Sequence, residues 1–296
     1  MFNTKFGIEI EFTGITRTAA AKVVADHLGG RINGTNVTAP DGRVWKITYD
    51  GSISRQKKEN GRKVSAHETY SAELVSPILT YDSDIDTVQE IARKLRKAGA
   101  FTNNSCGIHI HLDGASHTPT SIRNFINIIA SKNDLFYSAL QIAPERMSFC
   151  KKMDADLVQR MNESKPRTME QIADAWYKNY SGDRSRQYHA SRYHFLNLHS
   201  FFTRNNTVEL RGFNGTLHAG KIRSYICLAL ALNNQALTQK SASSRKSQAE
   251  NERFAMRTYL NRIGFIGEEY KNCREHLTAH LSGSAAWRYR GTRRAA

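Results

Sequence analysis

The chain has 296 residues, enough for one large domain or two modest ones, and its 40% hydrophobic and 24% charged residues suit a soluble globular protein. Forty-three Lys and Arg against 27 Asp and Glu leave a net charge of +16, which favours anionic partners such as nucleic acid or nucleotides, although solubility alone can also account for surplus cations. The most apolar stretch, residues 225–232, is too short to cross a bilayer, and the N-terminal residues lack a signal-peptide pattern, so no membrane association and a cytoplasmic location are expected.

Residues 5–13 read as a strand, followed by a helix over 17–28 that starts at Thr16 or Thr18 and stops at Gly29-Gly30. A strand over 44–53 runs into a turn at Asp50-Gly51. Residues 55–63 (RQKKENGRK) read as a cationic loop, and 68–79 as a strand ended by Pro77. A helix is predicted over 84–98 and a strand over 105–114. A helical region over 120–179 breaks near Pro144 and Pro166. Strands at 195–201 and 207–213 are joined by a tight turn at Arg204-Asn205-Asn206. Helices over 219–237 and 250–263 flank a polar stretch, and the tail RYRGTRRAA reads as frayed. Cys106, Cys150, Cys227 and Cys273 show no metal-ligand spacing and read as reduced thiols. The pattern predicts an α+β fold with a mostly antiparallel sheet of about five or six strands backed by helices.

Sorting each strand by its two faces exposes a pattern. Phe6, Ile8, Ile10 and Phe12 oppose Glu9 and Glu11; Ile108, Ile110 and Leu112 oppose His109, His111 and Asp113. Val208 and Leu210 oppose Glu209 and Arg211, Leu196 and Leu198 oppose Asn197 and His199, and Ala72 and Leu74 oppose Ser71, Glu73 and Val75. A wet sheet face also alternates in this way, but in so cationic a chain it should be rich in lysine. Gathered on one face, Glu9, Glu11, Glu73, His109, His111 and Glu209 would repel one another unless divalent cations sat between them. Carboxylates with imidazole and no thiolate favour Mg²⁺ or Mn²⁺, which commonly hold nucleotide phosphates. Candidate cofactor-binding residues are Lys46, Arg192, Asn197 and Arg211, although Asn197 can equally satisfy backbone groups. The chain has no GxxxxGK[ST], which excludes a P-loop.

The ordered motifs G-x-E-x-E (7–11), D-G-S (50–52), E-L-V-S-P (73–77), C-G-x-H-x-H (106–111), R-x₄-N (192–197) and T-x-E-x-R-x-F (207–213) resemble the amidoligases of the glutamine synthetase and glutamate–cysteine ligase superfamily. The resemblance implies a glutamine synthetase-like catalytic domain over 1–240; residues 241–296, which match none of these motifs, read as a helical extension with a basic tail. It implies an ATP-dependent carboxylate–amine ligase that works through an acyl phosphate, with ATP and Mg²⁺ or Mn²⁺. Glu9, Glu11, Glu73, His111 and Glu209 would hold the metals, with Glu11, Glu209 and Arg211 the catalytic set; Arg211 would stabilise the transferred phosphoryl group and His109 would support the ligands. The acid and the amine acceptor stay open, a peptide or nucleotide-linked substrate included.

Two rival readings remain at this level. H-x-H-x-D also holds zinc in metallo-β-lactamase-like hydrolases, where another His usually follows the Asp; here Gly114 does. A nucleic-acid-binding protein without catalysis fits the charge, but its cations are not interleaved with aromatics on a strand. Asp50 is most simply a turn residue. His199 and His218 read as structural or exposed, and Trp45, Trp176 and Trp287 as packing residues.

Overall fold

The computed structural model describes residues 3–203, 205–246 and 250–286. The fold is α+β. Its centre is β1 (Phe6–Phe12), whose Phe6, Ile8, Ile10 and Phe12 are buried on one face. Helix α1 (Arg17–Leu28) follows as expected: the Thr16 side chain accepts the Ala19 N–H, and Gly29 closes the helix at φ 65°. Next come the short strands β2 (Arg31–Asn33) and β3 (Asn36–Thr38), which the sequence reading does not register, and then β4 (Val44–Thr48).

The stretch read as a cationic loop is a hairpin instead, β5 (Gln56–Glu59) and β6 (Arg62–Ser65). Asn60 and Gly61 turn it with φ 49° and 79°, the two positive values that a type I′ turn requires. Glu68–Tyr70 form a 3-10 turn, so the strand expected over 68–79 is confined to β7 (Ala72–Val75). Helix α2 (Tyr81–Lys97) starts three residues earlier than expected, because the Asp84 carboxylate accepts the Thr80 N–H at 2.8 Å and pairs with Arg43 at 2.8 Å. Strand β8 (Gly107–Asp113) leads to the long α3 (Pro119–Leu140), then α4 (Ala155–Ser164) and α5 (Met169–Tyr177).

The strand expected over 195–201 shrinks to β9 (Leu196–Asn197). The Asn197 Oδ1 accepts the His199 N–H at 2.8 Å, and this local turn diverts the chain into α6 (His199–Phe202). His199 therefore does not share a strand face with Asn197; it is buried against the Tyr177 hydroxyl and the Arg186 carbonyl. A helical turn, not a tight turn alone, leads into β10 (Thr207–Asn214), and Arg204 lies outside the described residues. Helices α7 (Ala219–Thr238), α8 (Glu252–Arg262) and α9 (Lys271–Thr278) complete the chain, with His218 exposed at the α7 N-cap. Trp287 and the tail RYRGTRRAA lie outside the described residues.

Among the described residues the main sheet has eight strands, more than expected, in the order β2-β3-β4-β7-β1-β8-β10-β9, and every pairing within it is antiparallel. Its apolar face packs beneath helices that include α1, α3 and α7. Residues of α8 and α9, among them Leu260 and Leu277, belong to the same hydrophobic core, as do Trp45 and Trp176. Among the described residues, no helix is long and apolar enough to cross a membrane.

Candidate metal and phosphate site

Register brings the polar residues together. Glu11 lies opposite Glu73, Glu9 opposite His109, and Glu209 opposite both His111 and Asn197. Directly opposed residues share a sheet face, so five strands contribute to one cluster. Glu9 is held at 2.9 Å by His109 Nδ1 through one oxygen, and its other oxygen is 3.2 Å from His111 Nε2. Glu11 accepts the Gly107 N–H at 2.6 Å, and its second oxygen lies 3.6 Å from His109 Nε2. Glu73 accepts the Thr48 hydroxyl at 2.9 Å. Glu209 accepts the Asn197 amide at 2.5 Å and pairs closely with Arg211.

A bulge in β10 aims Arg211 into the cluster, because the register with β8 shifts between Leu210 and Phe213. Arg146, from the 3-10 turn Pro144–Arg146, secures the bulge: its guanidinium donates to the carbonyls of Arg211 at 2.7 Å and Phe213 at 2.6 Å. Two glycines make room for this arrangement. A Cβ on Gly107 would stand 2.4 Å from Arg146 Nη2, and one on Gly212 2.0 Å from the Phe195 ring.

Charge within the cluster is balanced by proximity. Burial pushes the Glu9 carboxyl up, but the His111 charge and the hydrogen bond and charge of His109 outweigh it and hold Glu9 well below the usual range. Burial likewise opposes ionisation of Glu209, yet Arg211, His111 and His109 bring it down to about 2. His111 is disfavoured as a cation by burial, but the charges of Glu9 and Glu209 raise it to about 9. Glu73 moves the other way: burial, then the charges of Glu9, Glu11 and Asp50, hold it well above the ordinary carboxyl range.

Among the described residues, three sets each bring their donor atoms within 4.8 Å of one another: Glu9, His111 and Glu209; Glu9, Glu73 and His109; and Glu11, Asp50 and Glu73. The set is rich in oxygen, includes two imidazoles and has no thiolate, so it fits a hard divalent cation. One atom strengthens that fit: His111 Nε2 is buried and makes no hydrogen bond among the described residues, whereas Arg211 Nε, likewise unpartnered there, is a cationic donor suited to an anion. The Glu9 oxygen near His111 lies outside hydrogen-bonding geometry.

Over the cluster lies a cleft of about 410 Å³ whose walls include Arg146, Arg192 and Arg211. Exposed rings of Tyr49, Phe149 and Tyr188 also line it, and Arg192 stacks on Tyr188 with 5.2 Å to the ring centroid. Of the residues singled out by sequence, Glu9, Glu11, Glu73, His109, Arg192 and Arg211 line this cleft, while His111 and Glu209 belong to the same cluster without lining it. Lys46 shares the sheet face but sits exposed opposite Val75 and does not line the cleft. Asn197 is buried, with its side-chain amide donating to Glu209 and its side-chain oxygen accepting the His199 N–H, so it braces the Glu209 carboxylate and does not line the cleft.

Asp50 stands closer to the cluster than a turn role suggests. Its Oδ1 accepts both the Ser52 N–H and hydroxyl at 2.6 Å, and the D-G-S motif was its one sequence signal. Arg146, Tyr49, Phe149 and Tyr188 come from irregular segments with no periodic signal. Asp113 of H-x-H-x-D is exposed, accepts the Ala115 N–H at 3.0 Å and belongs to none of the donor groups among the described residues.

No curated protein matches the chain. A family model described as "putative amidoligase enzyme" matches residues 3–233, and the chain belongs to that family.

Proposed function

From that membership we propose an ATP-dependent carboxylate–amine ligase in which the cluster holds Mg²⁺ or Mn²⁺ against the phosphates of ATP. The observation that carries the reading is that two of the donor groups, Glu9 with Glu73 and His109, and Glu11 with Asp50 and Glu73, line one cleft with Arg146, Arg192 and Arg211, while the third shares Glu9 with them. Bound divalent cations would neutralise phosphate charge and hold the phosphates in place.

The side chains divide the remaining work. Glu9, Glu11, Glu73, His111 and Glu209 offer the metal donors, and His109 and Asp50 lie close enough to complete them. Asn197 fixes the orientation of Glu209. Arg211, held by Glu209 and aimed by the bulge, meets charge that develops on the transferred phosphoryl group. Arg192 faces the more distant phosphates from the cleft wall. In the reaction, a carboxylate oxygen displaces ADP from the γ-phosphorus of ATP. An amine then displaces inorganic phosphate from the acyl phosphate, giving an amide and releasing one proton. The net charge of +16 suits an anionic acid or acceptor, a nucleotide-linked one included.

Hydroxylamine traps acyl phosphates as hydroxamates, so a panel of carboxylic acids incubated with protein, ATP, Mg²⁺ and hydroxylamine tests the reading. Hydroxamate formation that requires both ATP and Mg²⁺ supports it. Turnover of an amide or ester with Zn²⁺ and no nucleotide would instead favour the hydrolase.

A further inference from the structure

The cluster has a second side. Side chains alternate along β1, so Gly7, Glu9 and Glu11 share the polar face. Glu9 and Glu11 line the arginine-walled cleft, but Glu9 also borders a separate cavity of about 510 Å³ over Gly7. That space is open partly because position 7 carries no side chain. A Cβ there would meet His111 Cβ and Ser76 Oγ at 3.9 Å, an ordinary contact distance, so a larger residue would occupy the cavity without forcing the strands apart.

Chemically the two spaces differ. The cavity over Gly7 is walled by Val75, Pro77 and Ile78, and it has none of the three arginines of the cleft. Ile78 is 71% exposed; a single such residue is ordinary, but this one continues the apolar wall formed by Val75 and Pro77. Beside Glu9 and His111 of the cluster, which also border it, Lys5 and Asp113 add one charge of each sign. Such a lining suits an organic molecule with an aliphatic part far better than it suits a polyphosphate.

Phosphoryl transfer places the attacking and leaving oxygens roughly in line on opposite sides of phosphorus. If the nucleotide lies against Arg192 and Arg211, its acceptor approaches from the other side of Glu9, where this cavity lies. We propose that the cavity over Gly7 receives the carboxylic acid substrate, that this acid carries an aliphatic flank against Val75 and Ile78, and that glycine at position 7 sets the size of that flank. The inference rests on the ligase reading. In the step it serves, the acid oxygen forms a bond to the γ-phosphorus as the bond to the β-phosphate oxygen breaks, and ADP leaves with that electron pair.

The test uses the full chain with Mg²⁺ and a non-hydrolysable ATP analogue, titrated calorimetrically with straight-chain monocarboxylates from acetate to octanoate. Affinity should rise by about fourfold per methylene until the cavity is filled. Gly7→Val should weaken octanoate binding at least tenfold while the analogue binds within twofold of wild type, and Ile78→Ser should flatten the dependence on chain length. Gly7→Ala, a smaller intrusion, provides the same comparison should the valine variant fail to fold. Equal affinity across the series, or a Gly7 variant that weakens nucleotide and carboxylate alike, overturns the proposal. Nucleotide binding without any carboxylate binding also overturns it but leaves the ligase reading standing. Failure of the analogue to bind with Mg²⁺ removes the ligase reading itself.

Discussion

Ile10 and Glu11 are neighbours on β1, pointing to opposite faces of the same sheet, and both are shielded from water: Ile10 is 0% exposed and Glu11 4%. On the Ile10 side, burial removes apolar surface from water and stabilises the fold. On the Glu11 side, the same depth confines carboxylates near one another, and the protein offsets this with His111, Arg211 and hydrogen bonds from Gly107, Thr48 and Asn197. The contrast teaches that burial on the polar face serves the placement of charge at a net cost in stability. Under the proposed function one face carries the fold and the other the chemistry, and substitutions on adjacent residues should separate them.

The largest effect should come from Glu11→Gln. The amide oxygen can still accept the Gly107 N–H while the cluster loses one negative charge, so ATP-dependent hydroxamate formation should fall at least ~100-fold, with the melting temperature kept or raised. A variant with full activity would break the division between the faces. Ile10→Ala should do the reverse: a loss of about 3 kcal/mol in chemical denaturation, from lost apolar burial and the cavity left behind, with Mg²⁺-dependent nucleotide binding intact in the folded fraction. Asn197→Ala sharpens the comparison on the polar side alone. Removing the donor that orients Glu209 should weaken Mn²⁺ binding by about 10- to 100-fold, measured by electron paramagnetic resonance. An unchanged Mn²⁺ affinity would show that Glu209 needs no brace.

Much of this organisation was legible in the chain itself where local period decides the outcome. The alternation in β1, β8 and β10 identifies both faces and places Glu9, Glu11, His109, His111 and Glu209 together, and Thr16 and Gly29 mark both ends of α1. Local chemistry also explains some failures. Asn60-Gly61 is a hairpin signal hidden inside a charged stretch, and Asn197 ends β9 by accepting the His199 N–H. The rest depends on register and on segments without period. Asn197 offered itself as a cofactor ligand until pairing set it beside Glu209, and Arg146 reaches the β10 bulge from 65 residues away. Lys46 matched the expected face and chemistry, yet it sits exposed opposite Val75 and does not line the cleft.

The central claim is that the polar face holds divalent cations that engage nucleotide phosphates. It is tested most directly by anomalous scattering from crystals grown with Mn²⁺ and a non-hydrolysable ATP analogue. The account predicts manganese peaks among the carboxylates of Glu9, Glu11, Glu73 and Glu209, with the analogue's phosphates directed towards Arg211. Manganese and nucleotide bound away from these residues, or zinc alone held by His109, His111 and Asp113, would contradict it.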